Sequence, residues 1–582
     1  IHHGIPSLVT SLGMAVLSED AIAHLGAVER PLRAVDQWAY HSRLYAAASF
    51  VSLRDDLDLL QLISFGCGLD AVTGDQVAEI LKRTGKVYGA IKIDEHGNLG
   101  AARIRLRSLA AAIGERKAAG RRVRRPDPMP RRPLFEKEMK ARYTILAPQM
   151  APIQFSLLEA AFRAAGYRLE ILERAGQGAI DEGLRSVNND ACFPSIIVTG
   201  QLLEALRSGR YDVTRTAALI TQTGGACRAT NYIGFIRKAL ADGGFGHVPV
   251  VSLSATGIER NPGFKLTPLL LWHGLVSCVL GDLVMAALYR TRPYEALPGS
   301  ADALASKWIE DCRALFAKGV SPRAYARTAR AIVADFDALP LRDIPRKTRI
   351  GVVGEILVKF HPDANGDIVA SIEAEGGEAV VPDLFGFLLY SAHNAIFRRR
   401  RLAGSAKSEI TARIAIAALE AMRRPAAKAL ARSRRMEAPS SIYGLAASVD
   451  GVVQLGNASG EGWFLTAEMM ELIEGGIDGI ACLQPFACLP NHVTGKGVLK
   501  EMRLRHPEVP ISAIDFDPGA SEVNQENRLK LLVDNARRKG RSDKDIGMAE
   551  ATDFVECGEE EGTENLGGSL PVTETSETTM AG

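Results

Sequence analysis

The sequence predicts an α/β protein made of repeated open parallel sheets of the Rossmann or flavodoxin type, with helical inserts. Two observations predict this class. Short apolar runs bounded by Gly or Pro alternate along the chain with longer segments of helical periodicity. Loops rich in Gly, Cys or Asn follow several of these runs, which is the position of ligand-binding loops in open α/β sheets.

Composition narrows the class of protein. The chain has 582 residues, of which 47% are hydrophobic and 24% charged, as in an ordinary soluble protein with several domains. A formal net charge of +2 gives no strong field, so neither nucleic acid nor a membrane is expected as a partner. Eight scattered cysteines and the absence of a signal-peptide pattern indicate a reducing compartment, and we expect a cytoplasmic protein.

The predicted organisation begins with a unit over residues 1–118, containing a helix, a strand, a loop at Cys67, a helix, a strand and a final helix. The chain starts at Ile1 rather than Met, and this unit lacks a front half, so we expect the C-terminal part of a longer protein. Residues 119–141 interleave Arg with Pro and are predicted to be a basic linker. Binding of a phosphate or an acidic partner is its alternative role.

Two further α/β units are predicted, over residues 142–345 and 346–545, each with its own run of buried strands and with a cleft between them. An Arg-rich helical insert near 390–436 belongs to the second of these. Residues 546–582 are acidic, polar and poor in apolar residues, so we expect a disordered tail. The apolar segment Leu266–Tyr289 is long enough to cross a membrane, but His273 and Asp282 inside it favour a core helix.

A repeat links the first unit with the last. The loop of Cys67 and the loop of Cys488 follow equivalent apolar runs, and the matches continue into the next strand and helix. Duplication of a domain is the natural explanation for so many matched positions in order. The matched pairs are Phe65 with Phe486, Cys67 with Cys488, Val72 with Val493, Thr73 with Thr494, Ala90 with Ala513, Asp94 with Asp517 and Arg105 with Arg528.

Three cysteines are candidate metal ligands. Cys192, Cys227 and Cys488 each lie at or near the start of a predicted helix, where the thiolate form is favoured. Cys482 is a candidate fourth ligand, although strand alternation makes a core thiol an equal alternative. The remaining alternatives are that all of them are buried structural thiols, or that they bind zinc, for which close Cys-x-x-Cys pairs are missing. Spacing alone does not decide among these roles.

Three segments together resemble the cluster loops of a known family: NNDACFP from Asn188, QTGGACRATNY from Gln222 and QPFACLPNH from Gln484. The family comprises 2-hydroxyacyl-CoA dehydratases, benzoyl-CoA-type reductases and double-cubane cluster proteins. From Gly13 to about residue 540 the chain is most similar to the C-terminal half of large fused acyl-CoA dehydratase activase proteins, which carry an ATP-dependent activator module at their other end.

The resemblance implies that Cys192, Cys227 and Cys488 hold one cubane of an iron–sulfur centre, [4Fe-4S] or double cubane, and that Cys67 is the only ligand present from the first repeat. It further implies an iron–sulfur component of an acyl-CoA dehydratase system that receives low-potential electrons. No Walker A pattern is present, so ATP would act only through a separate or N-terminal activator module. The alternatives are a double-cubane reductase of a small molecule without CoA, and a non-catalytic electron-relay subunit.

Six polar residues follow these cysteines at helix starts, where backbone N–H groups favour anions, and we expect them to line the approach to the cofactor. Their alternatives are helix caps and ordinary core residues. They are Arg228, Asn231, Tyr232, Asn491, His492 and Lys496.

Overall fold

A computed structural model describes residues 3–64, 69–93, 99–120, 122–128, 132–173, 175–188, 190–222, 225, 227–254, 259 and 261–552. Within these described residues, ten strands form one two-stranded and two four-stranded sheets, and every strand pairing in them is parallel. Helices lie between the strands along the chain. The α/β class predicted from the sequence is confirmed.

The first unit contains a two-stranded parallel sheet with helices around it. Two short 3₁₀ helices, Glu19–Ala21 and Ala23–Leu25, precede the second α-helix. The elements are α1 (Ile5–Ser11), α2 (Ala39–Ser52), β1 (Leu59–Ser64), α3 (Asp70–Lys82), β2 (Tyr88–Ile93) and α4 (Leu99–Ala118).

The second unit contains a four-stranded sheet followed by three long helices. Its 3₁₀ helices are Lys137–Met139, Val213–Arg215, Arg228–Asn231 and Arg292–Tyr294. The elements are β3 (Thr144–Ala147), α5 (Pro152–Ala164), β4 (Arg168–Ile171), α6 (Gln177–Ser186), α7 (Phe193–Arg207), β5 (Thr216–Thr221), α8 (Tyr232–Asp242), β6 (Val250–Leu253), α9 (Pro268–Thr291), α10 (Ser300–Lys318) and α11 (Pro322–Asp337).

The third unit contains the other four-stranded sheet, with the helical insert between its second and third strands. One 3₁₀ helix, Lys496–Val498, lies in it. The elements are β7 (Arg349–Gly354), α12 (Ile356–Phe360), α13 (Pro362–Asn365), α14 (Ile368–Ala374), β8 (Glu378–Val380), α15 (Phe385–Arg401), α16 (Ala406–Leu430), α17 (Ile442–Ser448), α18 (Trp463–Glu474), β9 (Gly479–Pro485), α19 (Leu489–Thr494), α20 (Leu499–Arg505), β10 (Ile511–Phe516) and α21 (Glu522–Thr552).

The two four-stranded sheets share one strand order. The first runs β4-β3-β5-β6 and the second β8-β7-β9-β10, so each places its second strand at one edge and its fourth at the other. In both sheets the first and third strands are neighbours at the centre, and the chain builds outward from them in opposite directions. Ligands of open α/β sheets bind at the carboxyl ends of the strands that flank this change of direction. In this protein those strands are β3 and β5, and β7 and β9.

The pair β1–β2 has the same register as the pair β9–β10. The sequence repeat aligns Leu59 with Ile480 and Tyr88 with Ile511. The structure pairs Leu59 with Tyr88 and Ile480 with Ile511. From these positions both strand pairs continue one residue at a time over six residues. The two strand pairs therefore have equivalent registers, and the loop of Cys67 lies outside the described residues.

Helix α9 is the apolar segment for which a membrane span was considered. The helical stretch Pro268–Tyr294 passes a length and hydropathy test for a span, but 61% of its most apolar window is buried inside the protein. It packs against α5, α10 and α11. The Asp282 carboxylate accepts hydrogen bonds from the backbone N–H groups of Leu384 (3.0 Å) and Phe385 (2.9 Å), at the start of α15. These contacts are those of a core helix that joins the second and third units.

The basic linker includes one firmly packed residue. Phe135 is fully buried among Ile145, Phe162 and neighbouring side chains. Its backbone N–H donates to Asn261 Oδ1 (3.0 Å) and its carbonyl accepts from Gly263 (2.7 Å). The linker prediction rested on Arg and Pro and missed this aromatic anchor, which holds the chain against the second unit.

Gly354, at the end of β7, provides a test of the close contact with β9. Its φ is +148°, and a Cβ there would lie 1.9 Å from the carbonyl oxygen of Leu483. We expect Gly354→Ala to lower the free energy of unfolding by about 3 kcal/mol, because strain and overlap add. Chemical denaturation measures this. Gly114→Ala is the matched control, since no atom lies within 4 Å of its Cβ position, and a comparable loss in both variants would contradict the argument.

Candidate functional site

The three candidate cysteines all occupy helix N-cap positions. Cys192 precedes α7, Cys227 precedes the 3₁₀ helix Arg228–Asn231, and Cys488 precedes α19. Proline follows within the first turn of α7 and α19, where its missing N–H costs no hydrogen bond. The Cys227 sulfur accepts a hydrogen bond from the backbone N–H of Ala229 at 3.5 Å. A helix N-terminus favours thiolate over thiol, which is the form that ligates metal.

Tyr232, the first residue of α8, contacts one of these cysteines. Its hydroxyl lies 2.9 Å from the sulfur of Cys192. Burial raises the pKa of the Tyr232 hydroxyl well above its ordinary value, and the negative charges of Cys192, Glu355 and Cys227 raise it further. The phenol therefore keeps its proton and can donate it in a hydrogen bond to a thiolate. The Cys192 sulfur is therefore in direct contact with this phenol, which also feels the charges of Cys227 and Glu355.

Gly460 brings the loops of Cys227 and Cys488 together. A Cβ at this position would lie 3.9 Å from the Cys227 sulfur and 3.1 Å from Cγ of Pro490, two residues after Cys488. The φ of Gly460 is +58°, which favours glycine. Cys488 itself is buried. The structure therefore brings the surroundings of all three cysteines, far apart in sequence, into one region at the ends of β5 and β9.

Two buried glutamates lie beside this region at the start of α12. Glu355 directly follows β7, and its Oε2 accepts from the backbone N–H groups of Leu357 (3.0 Å) and Val358 (2.8 Å). Glu461 Oε1 accepts from the N–H of Ile356 at 3.0 Å. Burial, followed by the charge of Glu461, raises the pKa of Glu355 to about 8. Sequence reasoning missed both residues, although the position of Glu355 at a strand end was a usable signal.

Four of the six expected polar neighbours are buried: Arg228, Asn231, Tyr232 and Asn491. The Arg228 guanidinium donates to the carbonyl oxygen of Asp190 at 2.8 Å and helps to lower the pKa of Glu355. Asn231 Oδ1 accepts from the N–H of Val35 at 2.6 Å, which ties the first unit to the second. With its amide oriented to satisfy both partners, Asn491 donates to Glu461 Oε2 (3.0 Å) and accepts from the N–H of Glu355 (3.1 Å).

The other two polar neighbours are partly exposed. His492 is half-buried, and its Nδ1 lies 2.9 Å from the carbonyl oxygen of Cys488, one turn back. Lys496 forms an ion pair with Asp515, at 2.8 Å and 2.7 Å from its two oxygens. His492 therefore supports the turn that carries Cys488, and Lys496 is held against the edge strand β10.

The remaining cysteines have different surroundings. Cys482 is fully buried in β9 and packs with Val353 and Leu465 in a core cluster. Burial raises its pKa to about 12, so it is a protonated core thiol in this arrangement. Cys278 and Cys312 lie in the helical core around α9 and α10. The two others, Cys67 and Cys557, lie outside the described residues.

The distance between the possible ligand atoms limits which kind of metal group they can bind. Among the described residues, no three His, Cys, Asp or Glu side chains are close enough together to hold a single metal ion. One zinc ion would bring thiolate sulfurs to roughly 4 Å from each other, given Zn–S bonds of about 2.3 Å, whereas a cubane spaces them at roughly 6–7 Å. A cubane therefore requires more widely spaced sulfurs than a mononuclear zinc ion does.

Comparisons with known protein families and curated proteins do not assign this chain to a family. No protein-family model matches the chain, and no curated protein matches its sequence at a significant level.

The buried carboxylate of Glu355 makes stability depend on pH. Its folded-state pKa of about 8 lies above the value of about 4.3 for an unfolded chain. Its contribution to stability is therefore complete below pH 4.3 and is lost as the pH rises to about 8. We expect Glu355→Gln, which keeps an oxygen acceptor, to lose less thermal stability between pH 5 and pH 8 than wild type.

Thermal unfolding of metal-free protein across this range measures the difference. Glu173→Gln is the control, because the Glu173 side chain is 88% exposed. Parallel pH profiles for wild type and Glu355→Gln would contradict the assignment.

Proposed function

We propose that this chain is an iron–sulfur redox component of an acyl-CoA dehydratase or related activase system, with Cys192, Cys227 and Cys488 as ligands of one cluster. The observation that supports the proposal is that three N-cap cysteines have linked surroundings: Tyr232 contacts Cys192, and Gly460 lies between Cys227 and Pro490, two residues after Cys488. The sequence resemblance supplies the reaction class. In this proposal the two four-stranded units form Rossmann- or flavodoxin-like halves of one cluster-binding repeat, and the protein works in the cytoplasm.

Each part of the site has a role in this proposal. The helix N-termini favour the thiolate forms, and burial of Cys192 and Cys488 keeps water from the sulfurs. The Tyr232 hydroxyl lies 2.9 Å from the Cys192 sulfur and would donate a hydrogen bond to a thiolate there. Glu355 retains a proton at its carboxyl near neutral pH, beside the thiols. When bound, the cluster would supply one-electron chemistry at low potential. Electrons would reach it from an ATP-dependent activator on another module or chain.

Metal content tests the ligand set. We expect anaerobically purified protein to contain iron and acid-labile sulfide, and we expect Cys192→Ser, Cys227→Ser and Cys488→Ser each to lose most of both. Elemental analysis and EPR measure this. Cys312→Ser is the matched control, because Cys312 is also a buried free cysteine but lies in the helical core.

Zinc in place of iron would contradict the proposal, as would full iron loading in all three site variants. Loss of iron in the Cys312→Ser protein as well would show that the site variants act through folding alone.

The hydrogen bond from Tyr232 to Cys192 gives a second test. Hydrogen bonds to ligand sulfurs stabilise the reduced state, so we expect Tyr232→Phe to make the reduction potential of the iron-loaded protein more negative. Anaerobic redox titration followed by EPR measures the shift. Tyr211→Phe is the control, because that hydroxyl contacts Glu170. An unchanged potential in Tyr232→Phe would place the cluster away from Cys192.

A further inference from the structure

A basic groove of about 700 Å³ lies at the outer edge of the third-unit sheet, between α20, β10 and the first turns of α21. Four of its lining residues are cationic and none is acidic: Lys496, Lys500, Arg503 and Arg528. This volume is within the range of small-molecule sites, roughly 300–1,000 Å³. Lys496 also follows the Cys488 loop, but Lys500, Arg503 and Arg528 lie beyond it, and the function of the groove does not depend on the metal proposal.

The cations of the groove are positioned in two ways. Lys496 is neutralised by Asp515. Arg503 donates to the carbonyl oxygen of Ile511, and Arg528 to that of Ala513, each at 3.1 Å. These carbonyls are two residues apart on β10, which is the edge strand of its sheet. Two guanidinium groups are therefore held side by side along one strand edge, with further N–H donors on each available to a ligand.

Three positive charges in the groove lack a carboxylate partner within the described parts of the chain. They belong to Lys500, Arg503 and Arg528, whereas the neighbouring cations Arg505 and Lys530 pair with Glu501 and Glu526. Three unpaired positive charges close together favour the binding of a ligand that carries more than one negative charge. Guanidinium groups bind phosphate through paired N–H donors, and the Ser512 hydroxyl in the same lining adds a neutral donor.

We propose that this groove binds a ligand carrying two adjacent phosphate groups, such as a nucleoside diphosphate unit. Arg503 and Arg528 contact the phosphate oxygens and Lys500 adds charge at the rim. Leu499 and the largely exposed Leu504 offer an apolar surface for the rest of the molecule. Protection of the strand edge from pairing with another chain would explain the two arginines. It would not explain why Lys500 lies in the groove or why acidic residues are missing from the lining.

Calorimetry on the full chain tests the site with three probes: inorganic pyrophosphate, ADP and coenzyme A. We expect saturable binding that weakens with added salt. Lys500→Gln, Arg503→Gln and Arg528→Gln should each weaken it about tenfold, equivalent to one charge-assisted hydrogen bond or ion contact of about 1.4 kcal/mol. The ranking of probes identifies the source: tightest binding of pyrophosphate indicates free diphosphate, of ADP a nucleotide, and of coenzyme A a thioester carrier.

Arg505→Gln and Lys530→Gln are matched controls on the same two helices, because both side chains already have acidic partners. The Lys500→Gln variant should bind the probes weakly while its unfolding midpoint stays unchanged, since the Lys500 side chain is exposed and has no hydrogen bond or ion pair among the described residues. Failure of all three probes to bind at millimolar concentration, or an equal loss in the control variants, would overturn the proposal. Iron content should be unaffected in all five variants, which separates this result from the cysteine site.

Discussion

Buried helix starts need hydrogen-bond acceptors, and much of this structure depends on how carboxylates supply them. Peptide N–H groups in the first turn of a helix have no partner within the helix, and leaving them unpaired in the interior is costly. Asp282 of α9 meets this need for α15. Glu355 and Glu461 meet it for α12. Since Asp282 and α15 belong to different units, the same contacts also fix how those units pack.

The cysteine region follows the same rule with sulfur in place of oxygen. Cys192, Cys227 and Cys488 stand where an N-cap side chain normally accepts a hydrogen bond, and Cys227 does so from Ala229. Thiols are weak acceptors in the protonated form, and helix N-termini in general favour the charged form that binds metal. The carboxylates nearby are also affected by burial. Burial, followed by the charge of Glu461, raises the pKa of Glu355 to about 8.

Local sequence patterns predicted the parallel strands and the helix starts at the cysteines, because short apolar runs and Cys-x-Pro turns are local signals. They did not reveal that Tyr232 contacts Cys192 or that Glu461 reaches the start of α12, since both contacts join residues distant in sequence. The buried Phe135 was missed for a related reason, because its partners Asn261 and Gly263 lie far along the chain. Asp282 was recognised as unusual in an apolar helix, but its partners were visible only in the fold.

The arginine contacts on β10 have a consequence for the protein at high concentration. An edge strand with free carbonyl groups is a template for pairing with another chain, which leads to sheet extension and aggregation. Arg503 and Arg528 occupy the carbonyls of Ile511 and Ala513 along this edge. A foreign strand would have to displace both guanidinium groups before it could form a ladder. Colloidal stability during synthesis and storage is therefore set in part by two side chains outside the hydrophobic core.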